Sequence, residues 1–317
     1  MYREKIKVLD CTIRDGGLMN NHDFDDRFVR AIFKAVSEAG IDYMEIGYKN
    51  SKRLFPEDKY GAWKFCSDED IQKVTNGIPS KTKISVMVDV DRVDLDDIKP
   101  KKESPVSMIR TACYVKDVDK AIFLANHFAD KGYETTVNLM AISKVLEVEL
   151  TECLTQLEKE CKCNVVYLVD SNGSLYQETV EYLIKKAKSI IKTKEIGIHA
   201  HNNQQLAFGN TIEAIIHHTN YLDSTIFGMG RAAGNCPTEL LLGFLKNPKF
   251  DIRPILDVIS KEMVPLREKV EWGYVIPYAI TGIMDEHPKS ALKLRESDRK
   301  DNYREFYDSF AGSSEVD

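Results

Sequence analysis

The 317-residue sequence lacks any apolar stretch close to the roughly 20 residues that a membrane-spanning helix needs. Its start, MYREKIKVLD, has no apolar signal segment, and its seven cysteines show no repeated CxxC spacing. We therefore expect reduced thiols in a cytoplasmic protein that neither spans a membrane nor is exported. Excess positive charge is also absent, because 44 Lys and Arg oppose 50 Asp and Glu. At this net charge of −6, nucleic acid is not expected as a partner.

Eight short β-rich runs alternate with stretches of helical pattern along the chain. Their mean spacing is about 30 residues, the length of one βα unit. Several are apolar nearly throughout, as parallel strands covered on both faces are. The runs are KVLDCT from Lys7, YMEIGY from Tyr43, ISVMVDV from Ile84, SMIRTACY from Ser107, TTVNLM from Thr135, VVYLVDS from Val165, IGIHAH from Ile196 and LDSTIFG from Leu222.

Eight βα units predict a closed (β/α)8 TIM barrel over residues 1–250. Phe24 to Gly40 has the acidic first turn, apolar spacing and final glycine of an amphipathic crossover helix. A doubly wound open sheet is the alternative, but it often has GxGxxG after its first strand, where this chain has DCTIRDGG. Residues 251–317 predict several helices, a C-terminal extension that covers the barrel or forms a subunit interface.

Two histidines, His199 and His201, lie in GIHAHNN at the end of the seventh run. Residues two apart on a strand point to the same face, so both imidazoles converge at the carboxyl end of the strand. Barrel enzymes place their active sites at that end. Imidazole binds Mn, Fe, Co, Ni and Zn ions well, although HxH alone is a weak signal without a carboxylate.

Asp15 offers that carboxylate, in a glycine-rich turn after the first run. Strands one, seven and eight are neighbours in a closed barrel, so Asp15, His199 and His201 can form a two-His, one-carboxylate face. Asn235, in the loop after strand eight, is placed to add a carbonyl oxygen. Taken alone, Asp15 would be a turn or cap residue.

Arg14 brings a permanently cationic fork beside this carboxylate. Such a fork next to a Lewis acid can stabilise the developing enolate oxygen of a 2-oxo acid, whereas alone it would be a surface salt bridge. The run GMGRAAGNCPTE, from Gly228 to Glu239, has glycines before a predicted helix and could seat a carboxylate or phosphate against exposed amides.

The segments DCTIRDGG, HAHNN and GMGRAAGN, with VDSNG between them, resemble the DRE-TIM metallolyases, enzymes related to hydroxymethylglutaryl-CoA lyase. The nearest branch is the 4-hydroxy-2-oxovalerate aldolase type. The resemblance implies that Asp15, His199 and His201 ligate a divalent cation and that Asn235 supplies a ligand or supporting contact. It also implies that Arg14 binds the enolate oxygen of a pyruvate-like intermediate.

The same resemblance places Glu45 and Ser171, at the ends of strands two and six, along the substrate pocket. GYVIPY is similar to the GYxxxY segment of these aldolases, which makes Tyr278 a pocket acid or base. From its type alone, Glu45 would be a strand-end charge and Tyr278 a core or interface tyrosine. One departure stands out, because those aldolases carry a histidine three residues after the metal aspartate and this chain has Leu18.

The sequence therefore leaves several candidates for the general base. His22 is the candidate nearest in sequence, and Tyr278, His287 and a metal-bound hydroxide are the alternatives. Cys236 matches a cysteine of the lyase branch only loosely and is interpreted as a packing residue.

Together these residues predict a class II aldolase that reversibly cleaves a 4-hydroxy-2-oxo acid to pyruvate and an aldehyde through an enolate. Mn²⁺ is the expected ion, and Mg²⁺, Co²⁺ and Zn²⁺ are alternatives. The expected partners are the oxo acid, further copies of the chain in a homo-oligomer, and an aldehyde dehydrogenase that takes the volatile product.

A Claisen-type acyl-CoA/2-oxo acid synthase or lyase would share the metal face and is the alternative enzyme. A non-catalytic barrel that kept the ligands and lost the base is the alternative outside enzymes. Metal-dependent hydrolase barrels typically carry HxH at the first strand, and non-haem iron oxygenases usually have an antiparallel fold. Both classes are therefore disfavoured.

Overall fold

A computed structural model of the protein describes residues 3–311. Eight parallel strands pair in chain order, and the last pairs back with the first to close a barrel. The predicted TIM barrel is confirmed, and each of the eight predicted runs overlaps one strand. The strands are β1 Lys7–Asp10, β2 Tyr43–Tyr48, β3 Lys83–Asp89, β4 Val106–Cys113, β5 Glu134–Leu139, β6 Val165–Asp170, β7 Glu195–Ala200 and β8 Tyr221–Ser224.

The strands are apolar because helices cover the outside of the barrel and side chains fill its inside. Every residue of β2 and of β6 is buried. The helices are α1 Thr12–Gly16, α2 Asp26–Glu38, α3 Asp68–Thr75, α4 Val118–Asp130, α5 Glu147–Glu160, α6 Gln177–Ile190, α7 Ala207–Ile216, α8 Thr238–Leu245, α9 Arg253–Val258, α10 Val264–Arg267, α11 Ile276–Ile283, α12 Lys289–Arg295 and α13 Tyr303–Ala311.

The predicted first crossover helix is α2. The Asp25 carboxylate caps it by accepting a hydrogen bond of 2.7 Å from the Phe28 N–H. Its apolar face, which includes Phe28 and Ile32, is buried against the barrel. Gly40 follows with φ of +75°, a left-handed conformation in which the chain turns back toward β2.

Two local expectations were wrong. DCTIRDGG does not form a turn with strained glycines, because Thr12–Gly16 is a helical turn and Gly17 has a helical φ of −59°. The small size of Gly17 matters instead, since a side chain there would overlap the ring of His22. In addition, the connection from β3 to β4 contains two 3₁₀ turns, Leu95–Asp97 and Lys101–Glu103, where the barrel pattern predicts a helix.

The extension after residue 250 is helical as predicted. It runs through α9, a π-helical turn at Ile259–Met263 and α10, and then through α11 to α13. The Asn203 side chain, after β7, donates to the Tyr278 carbonyl at 3.2 Å, so α11 rests on the carboxyl end of the barrel. The predicted tail at residues 312–317 lies outside the described residues. Within residues 3–311, no helix has the length and apolar character needed to cross a membrane.

Candidate metal centre

Three predicted ligands meet at the carboxyl end of the barrel. Asp15 comes from α1, and His199 and His201 come from the end of β7. Asp15 Oδ2 lies 3.0 Å from His199 Nε2 and 3.8 Å from His201 Nε2. All three side chains are buried. One carboxylate oxygen and two ring nitrogens therefore converge on a small volume, in which a divalent cation would fit.

The protonation of Asp15 and His201 suits metal ligation, whereas at His199 the hydrogen bonds to Asp15 and Asp223 outweigh burial and raise the pKa. Burial opposes the charge of Asp15, but Arg14 and the two histidines hold the pKa of Asp15 well below its usual value. Burial lowers the pKa of His201 well below its usual range, so its ring is neutral. A neutral imidazole and an ionised carboxylate are the forms that bind a cation.

Asn235, the fourth predicted ligand, completes the fit. Its backbone forms an isolated antiparallel bridge with His201, which places it beside the triad of Asp15, His199 and His201. Neither its side-chain oxygen nor its nitrogen has a hydrogen-bond partner among the described residues, although both atoms are buried. Buried amides normally satisfy their polar atoms. The unsatisfied oxygen of Asn235 is an amide oxygen, and its chemistry fits a fourth ligand atom.

Arg14 is fixed between two carboxylates. Its Nη1 donates to Asp15 at 3.0 Å and its Nε donates to Glu45 at 2.6 Å. Although burial disfavours a charged guanidinium, these carboxylates raise the pKa of Arg14 well above its usual value. Glu45 has no exposed surface. The Glu45 carboxylate thus contacts the Arg14 guanidinium, and its place along the substrate pocket stays a prediction.

Two further buried charges support the triad, and neither was singled out from the sequence. Arg110, in the middle of β4, lies 3.1 Å from Glu45 Oε2 and 2.6 Å from Asp223 Oδ2. Asp223 Oδ2 in turn lies 2.9 Å from His199 Nδ1. A carboxylate at the far nitrogen is the usual way in which a protein orients a metal-binding imidazole.

These contacts close into a ring of six residues, which we name the charge ring. Around it, each charged side chain contacts two of its neighbours, so that no member is buried without a counter-charge. The ring consists of Asp15, Arg14, Glu45, Arg110, Asp223 and His199. The sequence did carry a signal for two of its members, because Arg110 in SMIRTACY and Asp223 in LDSTIFG are charged residues inside predicted strands.

His22 lies close to the triad although Leu18 occupies the expected position. Leu18 is exposed, whereas the His22 ring packs against Gly17 and meets Tyr48 edge-on, with ring centroids 5.3 Å apart. His22 itself has φ of +61°, a conformation that costs energy for a residue other than glycine. Burial, together with the charges of Lys64 and Arg14, lowers the pKa of His22 to about 3.

The remaining predicted residues have other contacts. The Tyr278 hydroxyl donates to Glu271 at 3.3 Å, and burial raises the pKa of this phenol. The Tyr278 hydroxyl therefore contacts Glu271 and none of the three ligands. Ser171 Oγ accepts a hydrogen bond from the Ala141 N–H at 2.8 Å. His287 Nε2 lies 3.2 Å from Arg231 Nη1, which brings the C-terminal extension to the loop that carries Asn235.

Known proteins are similar to this chain over most of its length. The chain is 28% identical over 287 residues to 4-hydroxy-2-oxovalerate aldolase of Thermus thermophilus, covering 86% of this chain and 81% of that protein. It is 25% identical over 269 residues to oxaloacetate decarboxylase of Mycobacterium tuberculosis, covering 83% and 77%. The predicted carbon–carbon lyase of the aldolase type is thus confirmed at the level of its curated relatives.

Solved structures show the same architecture. The N-terminal domain of a proposed aldolase from Bacteroides vulgatus matches with a TM-score of 0.79 and 30% identity, over 95% of this chain and 100% of that one. HMG-CoA lyase from Brucella melitensis matches with a TM-score of 0.67 at 15% identity, over 84% and 100%, which shows a shared fold. A family model described as HMGL-like matches residues 5–259, and the chain belongs to this HMGL-like family.

Proposed function

We propose that this protein is a divalent-metal-dependent class II aldolase that reversibly cleaves a 4-hydroxy-2-oxo acid to pyruvate and an aldehyde. The observation that carries the proposal is the convergence of Asp15, His199 and His201 beside the Arg14 guanidinium. Curated relatives named 4-hydroxy-2-oxovalerate aldolase support the substrate class.

Asp15, His199, His201 and Asn235 would hold the cation. When bound, a divalent cation supplies Lewis-acid polarisation of the 2-oxo group. Asp223 holds the His199 ring in place through Nδ1, so that Nε2 remains turned toward Asp15. Burial of the ligands excludes water from their side of the centre, which strengthens each electrostatic contact with the substrate.

Arg14 stabilises the enolate in this proposal. Its Nε and Nη1 are occupied by Glu45 and Asp15, and Nη2 has no hydrogen-bond partner among residues 3–311. That amino group can donate to the oxygen that gains charge when the C3–C4 bond breaks. Because two carboxylates fix the guanidinium beforehand, little reorganisation is needed at that moment.

His22 takes the proton of the 4-hydroxyl group. As this proton leaves, the C4–O bond becomes the aldehyde carbonyl, the C3–C4 pair moves into the enolate, and a proton at C3 then yields pyruvate. A neutral ring with an unpartnered Nδ1 is free to accept. A pKa near 3 makes it a weak base, so we expect the negative charge of a bound substrate to raise that pKa.

The test is exchange of the pyruvate methyl protons into deuterium, followed by proton NMR. Exchange should require added Mn²⁺ or Mg²⁺, stop with chelator, and fall at least about 100-fold in Asp15→Asn and in Arg14→Ala. His217→Asn, directly after α7, removes a contact with Glu213 and is the control that should keep full exchange. No exchange from a folded, metal-loaded protein would refute the pyruvate aldolase and favour acyl-CoA Claisen chemistry.

A second activity is favoured by the weak basicity of His22. Decarboxylation of a 2-oxo diacid breaks the same C3–C4 bond, releases CO₂ and needs no proton abstraction, so it suits a site with a poor base. One curated relative is named oxaloacetate decarboxylase. CO₂ release from oxaloacetate above the rate of the free metal ion, retained in His22→Asn, would establish it. Release equal to that of the free ion would exclude it.

We further propose Mn²⁺ as the ion and a cytoplasmic homo-oligomer that hands its aldehyde to a dehydrogenase. The carboxylate of Asp15 and the amide oxygen of Asn235 are oxygen ligands of the kind that suits Mn²⁺. Exposed apolar side chains support self-association, including Phe123, Leu146 and Val148 on neighbouring outer segments. Metal analysis of the purified protein and light scattering test the first two points. Faster aldehyde turnover with an added dehydrogenase than with a free aldehyde trap tests the third.

A further inference from the structure

Arg231 is a charged residue in the loop between β8 and Asn235, and its guanidinium reaches over the mouth of the barrel. Its backbone N–H donates to Asp15 Oδ1 at 3.1 Å, which anchors the loop beside the triad. Its Nη2 donates to the Ser171 carbonyl at 2.5 Å, and its Nη1 lies 3.2 Å from His287 Nε2. Three segments, after β6, after β8 and in the extension, therefore hold the guanidinium in place.

This cation has no ion pair within residues 3–311. No carboxylate of residues 3–311 lies within ion-pairing distance of Arg231, whereas Arg14 and Arg110 each contact two carboxylates. Its Nε is buried and has no hydrogen-bond partner. An anion that arrives from solution would supply the missing charge.

The segment that carries His287 is fixed to the barrel. Asp285 accepts hydrogen bonds from the side chains of Asn172 and Ser174, in the loop after β6. His287 Nδ1 accepts from the Lys289 N–H at 3.1 Å, and burial with the nearby charge of Arg231 lowers the pKa of His287 to about 4. The ring is thus neutral near pH 7, and it positions Arg231 without repelling it.

We propose that Arg231, positioned by His287, binds a carboxylate of the substrate, an inference that rests on the proposed function. The planar fork of a guanidinium matches a carboxylate with two parallel hydrogen bonds. Arg14 is already shared by Asp15 and Glu45, whereas Arg231 has no carboxylate within ion-pairing distance among residues 3–311. The carboxylate is either C1 of the 2-oxo acid or the C4 carboxylate of a 2-oxo diacid.

The experiment compares Arg231→Met and Arg231→Lys with the surface control Arg299→Met in pyruvate exchange and oxaloacetate decarboxylation. We expect KM to rise about 10- to 100-fold in Arg231→Met, with kcat within about 3-fold, because one charged hydrogen-bonding partner is lost. A rise for both acids assigns the C1 carboxylate, and a rise for oxaloacetate alone assigns C4. Unchanged KM for both acids in a folded variant overturns the proposal.

A readout without turnover separates this proposal from the proposed function. Pyruvate should raise the melting temperature of the wild type, with and without chelator, more than its uncharged methyl ester does, and Arg231→Met should abolish the difference. If the wild type lacks exchange but keeps this charge-dependent stabilisation, the aldolase fails and the carboxylate subsite stands. If the wild type turns over and Arg231→Met retains both the stabilisation by pyruvate and the wild-type KM for oxaloacetate, the subsite fails alone.

Metal affinity and two further variants distinguish loss of the subsite from misfolding. Arg231 contacts Asp15 through its backbone, so Arg231→Met should keep the metal affinity of the wild type, which calorimetry with Mn²⁺ measures. Arg231→Lys keeps the charge and loses the fork, and its KM should lie between those of the wild type and the methionine variant. His287→Asn should raise KM by less than Arg231→Met and leave kcat unchanged, as a positioning residue requires. A fall in kcat of His287→Asn as large as its rise in KM would contradict that role.

Discussion

Arg110→Met tests whether the charge ring holds the barrel interior together. Arg110 has no exposed surface, and methionine is of similar length, so the substitution removes charge and leaves little cavity. The protein loses contacts of 3.1 Å to Glu45 and 2.6 Å to Asp223, and the stacking of the guanidinium over Tyr167 at 4.3 Å. Both carboxylates stay buried with one partner fewer.

Removing one partner of a buried ion pair typically costs about 3–5 kcal/mol, because the other charge remains desolvated. We expect a loss of this size in the free energy of unfolding, a large part of a typical total of about 5–15 kcal/mol. Urea denaturation of the metal-free protein, followed by circular dichroism, measures it. Arg299→Met, which removes an exposed pair with Glu305, is the control and should change stability by less than about 1 kcal/mol.

The double variant Arg110→Met/Glu45→Gln adds a sharper criterion. Neutralising Glu45 relieves the charge that Arg110→Met leaves without its partner, so the double variant should lose less stability than the sum of the two single variants. A loss below about 1 kcal/mol in Arg110→Met, or strict additivity in the double variant, would refute the idea that the ring balances buried charge.

Three further predictions follow from the same contacts. Asp223→Asn leaves His199 without its carboxylate partner, so Mn²⁺ affinity should fall about 10- to 100-fold by calorimetry, and unchanged affinity would contradict the orienting role. Gly17→Ala would push the ring of His22 aside, so 4-hydroxy-2-oxovalerate cleavage should fall about as far as in His22→Asn while Mn²⁺ affinity is kept; retained cleavage would remove His22 as the base. Burial lowers the pKa of Lys64 from 10.5 to about 8, so its charged form destabilises the fold below pH 8 and stability rises as pH increases from 8 to 10.5. Lys64→Met should raise the free energy of unfolding at pH 7 by up to roughly 3 kcal/mol and remove that rise, in urea titrations at pH 7 and pH 10.

The fold was predictable because strands that are buried on both faces have a simple sequence pattern. Apolar β-rich runs at a regular spacing marked all eight strands, and β2 begins and ends at the predicted residues Tyr43 and Tyr48. The exceptions are local. The short helix at Thr12–Gly16 and the 3₁₀ turns between β3 and β4 depend on contacts with distant parts of the chain, which the periodicity of a single segment does not contain.

The triad was predictable because closure of the barrel makes β1, β7 and β8 neighbours. That argument requires only the strand order, and it brought Asp15 to both histidines. The supporting charges required more, since pairing of Arg110 with Asp223 depends on which side chains point inward and on the register across the barrel. The place of His22 was equally hidden, because it follows from consecutive left-handed residues, Asn21 and His22, that turn the ring back over Gly17.

The charge ring also has a consequence for how the chain folds. Its members come from the first, second, fourth, seventh and eighth strands or the segments that follow them, and the contact of Asp15 with His199 joins residues 184 positions apart. A partly folded barrel that lacks β7 and β8 would leave Arg110 without Asp223 and Asp15 without His199, so each would have one ring partner instead of two. Such an intermediate is penalised, so docking of the last two strands and completion of the metal centre should be one cooperative event that occurs late in folding.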